Sequence, residues 1–166
     1  WNYIFIVVIV GWSYYEIGGN VMKDFVNRIY SKLNPVIINW VDYYTSLGLI
    51  DGYELTRYKV IKGYNMPENT YKVIIDLVNN YRIDIDVSIP SNVDYHVLTV
   101  RVFSPTVERV KQDNGSVDVY PAKHLNGYLR FAEGEFDIDK GDWVREIQNM
   151  MNEYVSKDKA KVEVIE

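Results

Sequence analysis

Asp137, Asp139 and Asp142 fall close together, with Glu133 and Glu135 just ahead of them. Several carboxylates on one flexible loop suit a hard cation such as calcium, which makes these three aspartates candidate cation ligands. Their spacing departs from the EF-hand loop, because Gly141 holds the fifth position and Asp142 the sixth. The competing reading makes Glu135, Asp137 and Asp139 the solvated face of a strand and Asp142 a helix cap. His96 and His124 are the two histidines; without cysteine and without ligand spacing they do not define a metal site. Gly11-Trp12-Ser13-Tyr14-Tyr15 has the outline of a nucleophile elbow, but Tyr15 stands where its second glycine belongs. Asn114-Gly115-Ser116 is an acceptor sequence for glycosylation in a secreted chain. A phosphate loop, a dinucleotide fingerprint and an HExxH pair are all missing. The expectation is a chain without catalytic residues or cofactor, hence not an enzyme.

Composition narrows the partners. The 166 residues suffice for one domain with its own core, or one domain with an appendage. The formal charge is −5 and no Lys/Arg run occurs, so nucleic acid is not an expected partner. The absence of cysteine removes disulfides, thiolate metal sites and thiol nucleophiles. The 15 tyrosines suit sheet surfaces and interfaces, since each offers apolar area and a hydroxyl.

The elements that would position these groups divide at residue 34. Residues 1–15 carry no charge, and the first charged side chain is Glu16. A helix through Met22 would be about 33 Å long, close to the bilayer's hydrocarbon thickness of about 30 Å. Trp1, Tyr3, Trp12, Tyr14 and Tyr15 bracket its aliphatic centre as interfacial aromatics do. Tyr3, Ile4, Phe5, Ile6, Val7, Val8, Ile9 and Val10 are therefore the expected assembly or membrane segment. The β-branched run within them fits a core strand as the alternative. Beyond Gly18-Gly19 the spacing of Phe25, Val26, Ile29, Tyr30 and Leu33 predicts an amphipathic helix that Asn20 could cap. Asn34-Pro35 then predicts a restart, and the second helix ends at Gly48.

From about residue 54 the apolar period becomes two. A loop of three residues, Val78–Asn80, sets Ile75 opposite Ile83, Asp76 opposite Arg82 and Lys72 opposite Asp86, keeping carboxylates out of the core. Asn114-Gly115 predicts a type I′ turn that sets Lys111 opposite Asp118 and Val110 opposite Val119. Glu133-Gly134 predicts a third hairpin, with Phe131 opposite Phe136, Leu129 opposite Ile138 and Arg130 opposite Asp137. The stripe of Trp143, Ile147, Met150, Met151, Tyr154 and Val155 predicts a helix capped by Asp142, and the terminal KVEVIE a short edge strand.

The expected class is α+β: an apolar-to-amphipathic helical segment over 1–34 and a β-rich antiparallel head over 35–166, folded as a sandwich or partial barrel. This layout resembles that of type IV pilin-like subunits. The resemblance is one of layout, and Phe5 stands where such subunits carry a glutamate. It implies a non-enzymatic structural protein, a filament or shell subunit that forms homo-oligomers through its N-terminal helix, extracellular or at the cell surface and membrane-associated. Two alternatives accompany it: a single-span accessory subunit of a membrane complex, and a soluble α+β binding domain with residues 3–10 as a core strand.

Overall fold

The computed structural model describes residues 19–56, 59–61, 64–66 and 71–166; of 19–24, 59–61 and 64–66 it describes the backbone alone. Helix α1 (Gly19–Ser46) is followed by β1 (Ile50–Thr56), β2 (Lys59–Ile61), β3 (Tyr64–Met66), β4 (Tyr71–Leu77), β5 (Arg82–Ser88), β6 (Val97–Lys111) and β7 (Val117–Ala132). Helix α2 (Asp142–Val155) and a terminal strand β8 (Glu163–Ile165) complete the chain. Strands β1-β4-β5-β6-β7 form an antiparallel sheet in that order; β8 lies parallel to β6, and β2 pairs β3 separately. The expected α+β class with a β-rich head is what the chain adopts. Its second layer is made by the two helices, in place of the second sheet or barrel closure read from the sequence.

Alternation places the core on one face of the sheet. Val73, Ile85, Val100 and Leu129 form one cross-strand row, and Tyr71, Val87, Leu98 and Phe131 the next. Val26, Ile29, Leu33 and Ile37 of α1 are fully buried in the same cluster, together with Ile147 and Met151 of α2. Polar groups tie the layers together. The Tyr71 hydroxyl donates to Asn34 Oδ1 (3.2 Å) and the Trp40 indole N–H to Asn152 Oδ1 (2.8 Å).

Helix α1 runs straight through the expected restart. Pro35 sits inside it, exposed, while Leu33 and Ile37 on either side are fully buried. A helix-interior proline forfeits one backbone hydrogen bond, at about 3 kcal/mol; the continuous apolar stripe beneath outweighs that. The backbone of Asn20, the expected cap position, lies within the helix, which spans Gly19–Ser46. The far end stops as expected: Gly48 takes φ 75°, with Leu49 N–H on Tyr44 C=O and Gly48 N–H on Thr45 C=O, a Schellman close.

The hairpins divide. The first adopts the expected register, including Ile75↔Ile83, Asp76↔Arg82 and Lys72↔Asp86, with Asn80 at φ 74°. The second slips by one residue, to Lys111↔Val117 and Val110↔Asp118. Its loop is Asp113-Asn114-Gly115, closed by Gln112 N–H on Ser116 C=O, and Gly115 alone takes a positive φ, so the turn is not type I′. The third forms its turn, with Gly134 at φ 84°, but no strand follows. Residues 97–111 already pair with β7 along its whole length, and the chain leaves the sheet to reach α2. Phe131 and Phe136 still meet (5.5 Å), as do Phe136 and Trp143 (5.7 Å), so the expected pair survives as a packing contact. Helix α2 begins at Asp142 with Gly141 as its cap residue, and no side chain caps it.

The expected membrane placement and self-association require correction. No helix among the described residues is long and apolar enough to cross a membrane. Helix α1, which holds the described part of the expected N-terminal helical segment 1–34, buries its stripe beneath the chain's own sheet. The described residues bear out a small α+β domain and give no support for filament assembly, a cell-surface or extracellular location or a membrane partner. The segment Tyr3–Val10, Ser13 and Glu16 lie outside the described residues.

Candidate binding face on the distal ribbon

The structure disperses the residues singled out for chemistry. Asp139 pairs with Arg28 (2.7 Å) and Asp142 with Arg145 (2.9 Å), while Asp137 accepts the Asp139 backbone N–H (3.0 Å). Among the described residues, no group of three or more His, Asp or Glu side chains is arranged to hold a metal ion. His124 is exposed on β7, whereas His96 is 3 % exposed just ahead of β6, so the two are not brought together. Asn114 is exposed at the hairpin tip, its Oδ1 accepting the Ser116 N–H (2.9 Å) and hydroxyl (2.6 Å).

His96 stacks on Phe25 of α1 (ring centroids 5.7 Å apart). Its Nδ1 has no hydrogen-bond partner among the described residues and lies 3.7 Å from Glu133 Oε1. Burial pushes the imidazole below the usual histidine range, against the opposing pull of the Glu133 charge. Asp84 is the second unusual ionisable group. It lies on the sheet face away from the helices, with Oδ1 buried and unpartnered among the described residues. Burial pushes its carboxyl up, although Lys123, Arg82, Lys72 and Arg101 pull the other way.

The feature that sequence reading missed is a face. Strand β6 outruns β5, which leaves it at Phe103; β7 follows β6 to Lys111, and β8 takes the vacated edge at Thr106–Glu108. These three strands form a ribbon beyond the core. A bulge at Asn126, between the pairs Val102↔Gly127 and Phe103↔Leu125, sets the phase of its alternation. Tyr154 of α2 locks that bulge by donating its hydroxyl to Asn126 C=O (3.0 Å). Gly127 lets the helix come this close, since a Cβ there would stand 3.1 Å from the same hydroxyl.

Register then sorts the ribbon's side chains. On the face away from the helices lie Val107, Val117, Val119, Leu125 and Val164. Four of these are widely exposed: Val117 48 %, Val119 58 %, Leu125 46 % and Val164 54 %. Arg109, Lys111 and Lys123 share that face, with the Lys123 ammonium 4.5 Å from the Phe103 ring centroid. The acids of the three strands, Glu108, Asp118 and Glu163, all point to the helix side. Exposed apolar side chains grouped on one face, here interrupted by Lys123 between Pro121 and Leu125, are the usual mark of an interaction site. The sequence signal existed in the alternations V-D-V and V-E-V, but only the pairing of the distant β8 with the β6–β7 hairpin puts them on one face.

The free edge of β7 is a poorer site. Gln112↔Ser116 is a hydrogen-bonded pair, so alternation makes Val107↔Pro121 a non-bonded one. Pro121 thus turns its missing N–H outward, and a strand added there would lack a donor in mid-ladder. Comparison of the chain with protein-family models, with curated proteins and with solved structures gives no match in any of the three.

Proposed function

We propose that this α+β domain is a non-enzymatic binding module that engages a protein partner through the helix-free face of its β6·β7·β8 ribbon. One observation carries the reading: the exposed row of Val117, Val119, Leu125 and Val164 on a surface that no described element covers. Solvating such a row costs about 25 cal/mol per Å² of apolar area, which a partner's apolar side chains would recover. Lys111 at the tip end, Arg109 opposite Val119, and Lys123 between Pro121 and Leu125 are the cations of that face and can orient a partner by charge.

Site-specific photo-crosslinking in extracts of the native source tests this. A photoreactive residue at Val119 or Val164 is expected to give one discrete adduct. The same residue at Val110 or Tyr120, on the helix-side face of the ribbon, is expected to give none. Equal capture from both faces, or from neither, would sink the reading.

A further inference from the structure

We infer that the occupant of the ribbon face is an amphipathic helix of a partner protein whose apolar stripe is flanked by acidic residues. The inference rests on the reading of that face as a binding surface and specifies its partner. Two strands side by side, joined by a third over Thr106–Glu108, make a strip about 5–10 Å wide at about 4.8 Å per strand, along which one helix, about 10 Å across with its side chains, can lie. Extended from Phe103 to Lys111, the strip is about 30 Å long, enough for a helix of about 18 residues. A strand is the less suitable occupant, because Pro121 and the Asn126 bulge spoil the outer edge of β7.

Charge decides the sign of the flanks. Arg109, Lys111 and Lys123 are the ionisable residues of β6 and β7 on this face of the ribbon, and the strand acids lie on the other. Arg109 is partly committed, 3.4 Å from Glu166. Lys111 lies toward the hairpin tip and Lys123 toward the sheet, so the two bracket the row of valines lengthwise. A chain of net charge −5 that nonetheless sets three cations among the apolar residues of one face favours an acidic amphipath over a basic one there.

Fluorescence anisotropy on the full chain tests this with three labelled peptides of about 18 residues. The first carries leucine at i, i+3, i+4 and i+7 spacing, flanked by Glu; the second has Lys in place of Glu; the third has the first one's composition with the stripe scrambled. The Glu-flanked peptide is expected to bind about tenfold more tightly than the Lys-flanked one, and the margin should shrink as salt rises. The scrambled peptide should not bind. The double variant Lys111→Glu/Lys123→Glu should reverse the order, and Val119→Asp should abolish binding of both amphipathic peptides. All three positions are exposed, and circular dichroism melts confirm that the variants are folded. Equal or tighter binding of the Lys-flanked peptide, still lost on Val119→Asp, overturns the acidic partner and leaves the binding face standing. Binding that survives Val119→Asp overturns both. Failure of the Glu-flanked peptide to bind, or binding of the scrambled peptide equally well, overturns the acidic helix.

Discussion

His96 occupies a position that neutral imidazole tolerates and imidazolium does not. It is buried, stacked on Phe25, and its Nδ1 lacks a partner among the described residues. Burial depresses its folded-state affinity for a proton, so the unfolded chain binds more protons once pH falls below the unfolded value of about 6.5. The resulting contribution is fully present above about pH 6.5 and is lost as pH falls through the lower folded pKa. Glu133 is the charge that faces the ring, from the turn after β7, and it softens the loss without removing it. Thermal melts across that window should show the wild-type midpoint falling on acidification and a flatter profile for His96→Phe. Parallel profiles for the two would exclude His96 as the source.

Among the elements, α1 is committed to the chain's own core, with Ile29, Leu33 and Ile37 at 0 % exposure. Leu33→Ala should therefore cost about 2–5 kcal/mol in urea unfolding, the range for a large-to-small change in a packed core. A loss under 1 kcal/mol would mean that the helix is not seated as described. Pro35 offers the opposite sign. It is exposed in the helix interior, and Pro35→Ala should stabilise by about 1–3 kcal/mol by restoring a backbone hydrogen bond. A destabilising result would mean that the proline sets a bend on which the packing depends.

For the whole molecule, stability is distributed unevenly. The rows at Ile83, Ile85, Leu98 and Val100 are sealed beneath two helices, whereas Val110, Val117 and Val119 stand in the open ribbon. Hydrogen exchange should accordingly report strong protection in β5 and the first half of β6, and markedly weaker protection at residues 108–111 and 117–120. Uniform protection along β6 would show that the ribbon belongs to the same cooperative unit as the core. A less stable but correctly paired ribbon is what a partner-dependent surface requires, since binding would then add to its order.

The sequence by itself determined what local pattern and burial jointly specify. The first hairpin was legible because one face of β4 and β5 is core, so any slip would bury Asp84 or Asp86 among the isoleucines. The stripe of α2 and the stop at Gly48 were legible for the same reason: periodicity and a left-handed glycine need no distant partner. Where no core enforces register, reading failed. The second hairpin stands exposed on both faces near its tip, and its loop chemistry alone did not distinguish a two-residue from a three-residue turn. The strand expected after Glu133-Gly134 was lost to β6, whose pairing with β7 spans far more residues than that short strand could. Pro35 looked like a boundary because a local rule cannot weigh one lost hydrogen bond against a buried face supplied by the sheet. The binding face is the extreme case. Val107 and the valines of β7 meet across one hairpin, but Val164 of β8 lies far along the chain, and only tertiary pairing brings it to the same side. The same pairing sends the strand acids to the other side and leaves the cations beside the valines.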